Sequence, residues 1–224
     1  MIIIHRAGYN HRMPFSTIFF DLDDTLYPAT NGLWLAIKER IRLYMQEKLG
    51  LPAETAPDLA RQYFLQYGTT LRGLQANYHI DMLDYLAYVH DVPLADYLAP
   101  NPHLRSILES IPAKKYVFTN ADLAHAQRVL RRLEIESCFD GIVDVVAIDP
   151  YCKPMPESFA IAQKLAGEPD PRRCVMIDDL PHTTRAARQH GLLALLYGKS
   201  EPHPDADVVF DNWSLLPALL NGRK

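Results

Sequence analysis

The sequence predicts an α/β fold in which helices cover both faces of a parallel sheet and an all-helical segment follows the first strand. Helical patterns at residues 121–133, 156–165 and 184–190 separate the later strands, and this alternation indicates parallel strands joined by helices. In such a sheet, functional residues gather beyond the carboxyl ends of the strands. The apolar runs typical of buried strands lie at residues 17–20, 116–118, 142–146, 174–177, 193–197 and 208–210.

No strand pattern is found between residues 32 and 98, where the spacing of apolar residues is helical throughout. An apolar stripe at helical spacing opens this interval, formed by Leu33, Ile37, Ile41, Met45 and Leu49. Further helical patterns lie at 57–67, 71–78 and 83–90. We therefore expect a helical cap domain at residues 31–98, inserted into an α/β core domain formed by residues 14–30 and 99–222.

Composition and charge exclude several classes of function. The 224 residues are 48% hydrophobic and 22% charged, as in a soluble globular protein. The net charge of -4 leaves no excess of positive charge with which to bind a nucleic acid polymer. Without an export signal or an apolar run of about 18 residues, we expect a cytoplasmic protein with no membrane partner. The three cysteines lack CxxC spacing, so we expect reduced thiols. Residues 1–12 fit no element of the fold, which makes Met13 a candidate start.

Polar side chains gather where the predicted strands end. They are Asp21 and Asp23 after the first strand, Thr119 and Asn120 after the second, Lys153 in the loop before the fourth, and Asp178 and Asp179 at the end of the fourth. Each group alone is also typical of an acidic turn, a helix cap or an exposed loop. Because the carboxyl ends of parallel strands share one edge of the sheet, we expect the groups to converge on a single site.

The chemistry that suits this set is phosphoryl transfer. A phosphate ester is dianionic, so a carboxylate nucleophile needs positive charge beside it. Magnesium prefers hard oxygen ligands, which Asp21 supplies together with Asp178 or Asp179. Lys153 adds a positive charge and Thr119 a hydroxyl donor. Backbone N–H groups after Asp21 and around Asn120 can complete a cradle for the phosphate.

The order of these motifs, DxDxT, then a threonine at a strand end, then a lysine, then DD, resembles the haloacid dehalogenase-like (HAD) superfamily of phosphohydrolases over residues 16–220. The resemblance implies a Rossmann-like core with a helical cap, Asp21 as the nucleophile that forms an aspartyl-phosphate, and Asp23 as the acid and then the base. It also implies Mg2+ held by the Asp21 side chain, the Asp23 backbone carbonyl and a carboxylate of Asp178 or Asp179, with Asp179 as the direct ligand.

Several sequence segments are more specific than these motifs, because they are similar to the pyrimidine 5′-nucleotidase branch of the superfamily. They are DLDDTLYPATNGLW, YGTTLRGL, YVFTN, CFDGIVDV and YCKPMPESF. This likeness implies that a pyrimidine nucleoside 5′-monophosphate is hydrolysed to nucleoside and phosphate. The branch usually continues DDSxxN after the fourth strand, whereas this chain has Leu180 for the serine and Thr183 for the asparagine. Those positions support the metal shell, so we expect metal affinity or rate to differ while the mechanism survives.

Substrate selection has to come from the cap, because the core residues contact only the phosphate. We expect Tyr27, Thr69, Thr70 and Arg72 near the base or sugar, and Asn120 beside the phosphate. The alternatives are that Thr70 caps the helix after it and that Arg72 is a surface residue.

Three other functions compete with a nucleotidase. A haloacid dehalogenase uses no acid or base two residues after its nucleophile, so Asp23 argues against it. A phosphatase of another small phosphometabolite, such as a sugar phosphate, would share every core residue. A non-catalytic phosphate-sensing protein of the same fold is the remaining alternative. We expect a small-molecule phosphomonoester as partner and a monomer or homodimer.

Overall fold

The computed structural model describes residues 15–221, and a six-stranded sheet crosses this part of the chain in the order β3-β2-β1-β4-β5-β6, with every neighbouring pair parallel. The predicted α/β fold is confirmed. The strands are β1 (Thr17–Phe20), β2 (Lys114–Phe118), β3 (Gly141–Val143), β4 (Cys174–Asp178), β5 (Leu193–Tyr197) and β6 (Val208–Phe210).

The central position of β1 determines where function can gather. Phe20 of β1 stands in register with Val117 of β2 on one side and with Ile177 of β4 on the other. The chain proceeds from β1 to β2 and β3 on one side and later to β4, β5 and β6 on the other. The carboxyl ends of β1, β2 and β4 therefore lie side by side where the strand order changes direction, which is where parallel sheets bind ligands.

Four helices fill the interval between β1 and β2 that was predicted to contain no strand, and a fifth helix precedes β2. The helices are α1 (Leu33–Glu47), α2 (Ala56–Tyr67), α3 (Thr70–Tyr78), α4 (Met82–Val89), α5 (Pro102–Glu109), α6 (Leu123–Arg132), α7 (Pro156–Ala166), α8 (Pro181–His190) and α9 (Leu216–Leu220). Helix α5 was not predicted, although Asn101 caps it and Pro102 occupies its first turn.

Strand β3 is shorter than the prediction of residues 142–146. The side chain of Asp144 accepts hydrogen bonds from the backbone N–H groups of Leu123 and Ala147, at 2.8 and 2.9 Å. These bonds turn the chain directly after Val143, so the strand ends there and an irregular segment leads to α7.

Apolar side chains form a separate cluster on each face of the sheet and a third among the helices of the insertion. Ile18 and Phe20 belong to the cluster on one face, and Phe19 to that on the other, as alternation along a strand requires. The third cluster, which we call the insertion cluster, is formed by Tyr44, Met45, Ala56, Tyr63, Leu71, Leu74, Tyr85, Leu86, Val89, Val145 and Cys152. The division into a core domain and a cap domain at the stated boundaries remains a prediction.

None of the helices in the described part of the chain is both long and apolar enough to cross a membrane. Cys138, Cys152 and Cys174 are buried free thiols, in agreement with the prediction that they are reduced. The candidate start at Met13 lies outside the described residues.

Candidate active site

The turn after β1 places the first carboxylate of the site. The N–H of Asp21 continues the sheet by donating to the carbonyl of Ile177 at 2.9 Å. Asp24 then adopts a left-handed conformation, with φ of 60°, which a short polar side chain tolerates better than most. The chain folds back, and the hydroxyl of Thr25 donates to Asp21 Oδ2 at 3.0 Å. The DxDxT spacing therefore supplies its own hydrogen bond to the first aspartate.

Lys153 is buried between two carboxylates at this edge. Its Nζ lies 2.6 Å from Asp21 Oδ1 and 2.8 Å from Asp178 Oδ2, and only 3% of its side chain is exposed. Burial by itself would lower the pKa of the ammonium group, but Asp178 and Asp21 more than offset this and raise the pKa above its ordinary value. The lysine is therefore charged, and it fixes the orientation of Asp21.

Three carboxylates crowd this charge. Oxygen atoms of Asp21, Asp178 and Asp179 all lie within 4.8 Å of one another. Burial, reinforced by the neighbouring carboxylates, raises the pKa of Asp21 well above its ordinary value, and burial with Asp178 raises that of Asp179 to about 7. When all three carboxylates are ionised, the one ammonium group among them leaves two uncompensated negative charges. Hard oxygen donors with this charge fit a divalent cation such as Mg2+.

The two aspartates after β4 differ in what holds them. Asp178 Oδ2 accepts from Lys153, and Asp178 Oδ1 accepts from the N–H of Leu180 at 2.9 Å. Asp179 Oδ1 instead lies 3.4 Å from the hydroxyl oxygen of Thr25, whose single proton is directed to the nearer Asp21 Oδ2. Both oxygens of Asp178 thus have protein partners, while Asp179 is held more loosely.

Asp23 is oriented through one of its two oxygens. The hydroxyl of Tyr27 donates to Asp23 Oδ1 at 2.6 Å, and His125 Nε2 lies 3.1 Å from the same atom. Burial opposes ionisation of this carboxyl, but His125 and Tyr27 prevail and lower its pKa. The ionised form of Asp23 is therefore favoured before any ligand binds.

The sequence reasoning missed two histidines behind Asp23. The rings of His90 and His125 stack with centroids 4.2 Å apart. His90 Nδ1 is hydrogen-bonded to Asp122, whose side chain also caps α6 through the N–H of His125. No local sequence pattern assigns either histidine to Asp23, because the contacts join segments far apart in sequence.

Two polar residues follow β2, and one of them, Asn120, contacts the backbone of Lys153. The Asn120 side chain accepts from the N–H of Lys153 at 2.8 Å and donates to the carbonyl of Lys153 at 3.0 Å. Thr119 is buried, and its hydroxyl oxygen accepts from the N–H of Ala121 at 3.0 Å. Asn120 thus anchors the backbone that carries the ammonium group, and its predicted contact with substrate remains a prediction.

The other predicted substrate-contacting residues have different partners in the structure. Tyr27 is buried against Asp23. Thr69 caps α3 by accepting from the N–H of Arg72 at 3.1 Å, and Thr70 donates to the carbonyl of Ala60 at 3.1 Å. The alternative that Thr70 caps this helix is therefore wrong. The alternative that Arg72 is a surface residue is also wrong, since its side chain is 7% exposed. A direct contact between these side chains and substrate remains a prediction.

Comparison with known proteins identifies the family. A model of the haloacid dehalogenase-like hydrolases matches residues 15–191 of this chain. The chain belongs to this family. This hydrolase is 32% identical over 188 residues to phosphate metabolism protein 8 of Saccharomyces cerevisiae, a match that covers 78% of the chain and 59% of the yeast protein. The chain therefore spans well under two thirds of that relative.

Solved structures of the same fold include proteins with different reported chemistry. One is the HAD-type protein YfnB from Bacillus subtilis bound to magnesium, with 16% identity, a TM-score of 0.59, and coverage of 93% of this chain and 99% of that one. Another is L-2-haloacid dehalogenase from Xanthobacter autotrophicus, with 16% identity, a TM-score of 0.60, and coverage of 94% and 100%. At these identities the likeness establishes the fold alone, so the reaction has to be argued from the site.

Proposed function

We propose that this hydrolase is a magnesium-dependent phosphomonoesterase that cleaves pyrimidine nucleoside 5′-monophosphates through an aspartyl-phosphate on Asp21. The observation that carries the proposal is the position of Asp21. Its two oxygens are held by Lys153 and Thr25 within a carboxylate cluster, and a second carboxylate, Asp23, follows two residues later. A nucleophile oriented in this way, beside positive charge, suits attack on a dianionic phosphate.

The proposed steps use Asp21 and Asp23 in turn. Asp23 takes up a proton as the dianionic substrate binds; an oxygen of Asp21 then bonds to phosphorus while the P–O ester bond breaks and the departing ester oxygen takes that proton. Asp23, now a carboxylate, removes a proton from water, and the resulting oxygen attacks phosphorus, releasing phosphate and restoring Asp21. Lys153 keeps Asp21 oriented and offsets negative charge, and Thr119 donates to the phosphate. The second proton transfer agrees with the lowered pKa of Asp23.

The metal in this scheme is Mg2+. The Asp21 side chain, the Asp23 backbone carbonyl and Asp179 would hold it, since Asp178 already has Lys153 and Leu180 as partners for its two oxygens. When bound, the ion neutralises charge on the phosphate. Leu180 and Thr183 stand where the branch has serine and asparagine, so we expect metal affinity or rate to differ from that of typical members.

Asp23 favours a phosphatase over a dehalogenase, although both share this fold. An alkoxide leaving group requires a proton, and a carboxyl two residues after the nucleophile supplies it. Because Tyr27 and His125 both contact Oδ1 of Asp23, Oδ2 is the oxygen left to exchange the proton.

The proposal of a pyrimidine nucleotide as substrate rests on the sequence segments that are similar to the nucleotidase branch. The candidate contacts are those named above, Tyr27, Thr69, Thr70, Arg72 and Asn120. Similarity to a yeast protein named for phosphate metabolism supports phosphate chemistry but no particular substrate. A sugar-phosphate phosphatase is the alternative. A cytoplasmic location and a monomer or homodimer remain predictions.

A panel of phosphomonoesters with magnesium tests this function. We expect phosphate release from UMP or CMP to exceed that from purine nucleotides and sugar phosphates, and Asp21→Asn to abolish it. No turnover of any phosphomonoester would refute the enzymatic proposal, whereas preference for a sugar phosphate would refute only the choice of substrate.

The role of Asp23 is tested separately, by single-turnover phosphorylation. We expect Asp23→Asn to slow the first step far more for a nucleotide than for an activated aryl phosphate, whose leaving group needs little protonation. Equal losses with the two substrates would contradict the acid role.

A further inference from the structure

Arg72 lies on α3 of the helical insertion, but its guanidinium group binds the segment that carries Lys153. Nη2 donates to the carbonyls of Val145 and Tyr151, at 3.2 and 2.6 Å, and Nη1 lies 2.6 Å from Asp149 Oδ1. The side chain is 7% exposed, whereas that of Asp149 is 48% exposed. The hydrogen bond to the Val145 carbonyl is buried, and those to the Tyr151 carbonyl and to Asp149 are partly buried.

These contacts close a segment that lacks regular structure. Residues 144–155 join β3 to α7 and contain neither helix nor strand. Val145 stands near the start of this segment and Tyr151 near its end, so a single nitrogen atom of Arg72 holds both parts. Lys153 follows two residues later, and Asn120 fixes its backbone through two hydrogen bonds from the core. Arg72 and Asn120 thus hold the lysine segment together.

Close packing supports the same connection. Val145 and Cys152 belong to the insertion cluster, although both come from the segment before α7. Cys152 Sγ donates to the carbonyl of Tyr67 at 3.3 Å. At Gly68, a Cβ atom would lie 2.8 Å from Cys152 Sγ and 3.2 Å from the carbonyl oxygen of Lys153. The helical insertion therefore contacts the lysine segment directly, without space for a larger residue.

We propose that Arg72 is a positioning residue that fixes Lys153 against Asp21 and Asp178. The proposal rests on the proposed function for its effect on catalysis. A planar guanidinium presents several N–H groups in fixed directions and can bind two carbonyls and a carboxylate at once, which a lysine ammonium on a flexible stem does not reproduce. Without Arg72, the carbonyls of Val145 and Tyr151 are no longer held together. The backbone before Lys153 is then less ordered, so the Lys153 ammonium group is no longer fixed in position.

Hydrogen exchange tests the structural half of the proposal without requiring activity. The variants are Arg72→Met and Arg72→Lys, and the matched control is Arg40→Met. Arg40 also lies in the insertion and also donates to a backbone carbonyl, that of Tyr88, at 2.8 and 3.0 Å, but does not contact the lysine segment. We expect amide exchange in residues 145–153 to rise roughly tenfold or more in both Arg72 variants and to be unchanged in Arg40→Met. An unchanged rate in Arg72→Lys, or an equal rise in the control, would overturn the proposal.

Kinetics test whether Arg72 acts through Lys153. We expect Arg72→Met to lower kcat by about 100-fold, because misplacing a catalytic group by about 1 Å has an effect of that size, with a smaller change in KM. In a Lys153→Met background, the same substitution should change single-turnover phosphorylation by less than about twofold. Multiplicative losses in the double variant would refute action through Lys153. If the wild-type protein hydrolyses no phosphomonoester, the proposed function fails, while hydrogen exchange still decides whether Arg72 orders the segment.

Discussion

Asp179→Asn is expected to stabilise the metal-free protein while weakening its response to magnesium. The Asp179 carboxylate lies within 4.8 Å of those of Asp21 and Asp178, and burial with the charge of Asp178 raises its pKa from 3.8 to about 7. An asparagine has almost the same size and removes the charge. The substitution therefore relieves repulsion in the absence of a cation and removes a proposed ligand in its presence.

The size and the sign of the effect follow from the raised pKa. Between pH 3.8 and about 7, the unfolded chain loses the Asp179 proton before the folded protein does, so the free energy of unfolding falls as the pH rises. The rise of the Asp179 pKa from 3.8 to about 7 gives an upper limit of about 4 kcal/mol for the loss in the free energy of unfolding. Relaxation and water around the ionised group reduce this to about 1–3 kcal/mol. The variant should match the wild type near pH 4 and exceed it near pH 8.

Thermal unfolding near pH 8 with EDTA, and again with excess Mg2+, measures both effects. For a chain of this length, about 1–3 kcal/mol corresponds to a Tm higher by about 3–10 °C in the variant with EDTA. Magnesium at about 100 times its Kd should add about 2.7 kcal/mol to the wild type and much less to the variant. Asp211→Asn, at an exposed aspartate outside the cluster, is the control. A lower Tm for Asp179→Asn in EDTA, or equal gains from magnesium, would refute the reasoning.

Two further substitutions test contacts around the site. Tyr27→Phe removes the hydroxyl that donates to Asp23, so we expect kcat for a nucleotide to fall roughly tenfold with KM nearly unchanged. Steady-state kinetics check this, and an equal loss with an aryl phosphate would count against it. Gly73→Ala would place a Cβ atom 2.3 Å from the Tyr63 side chain and should cost about 1–3 kcal/mol in thermal unfolding. An unchanged Tm would show that α2 and α3 pack less closely than the structure indicates.

Strands were predictable from the sequence where a run of apolar residues reflects burial of the strand itself. Strands β1, β5 and β6 have the predicted bounds because each is a short apolar run. The predicted β3 extended to Val146, whereas the strand ends at Val143, because Val145 is apolar and was counted as part of the strand. Its side chain contacts the insertion cluster after the strand has ended. A residue buried by a distant segment has the same apolar character as one buried in a strand, so periodicity does not separate the two cases.

In the candidate site, too, contacts that depend on sheet topology were predictable, whereas contacts between other distant segments were not. The convergence of Asp21 and Asp178 followed from strand ends, since parallel topology brings them to one edge whatever their separation in sequence. Lys153 comes from the irregular segment before α7 and joins them through its contacts with both carboxylates. The contacts of His125 with Asp23 and His90 join residues about 30 to 100 positions apart and follow no strand end. The geometry of these residues shows which part of the site depended on topology alone.

We expected core residues to carry out the reaction and the helical insertion to select the substrate. Arg72 shows that this division is incomplete. A charged residue in a helix is expected at the surface unless its charge and donors find partners. Arg72 finds most of these partners in Val145, Tyr151 and Asp149, which lie outside the insertion, and one in Gln75 of α3. A substitution in α3 made to change substrate preference would therefore also disturb the segment that carries Lys153. We infer that substrate preference and rate are coupled in this hydrolase through the contact between α3 and the lysine segment.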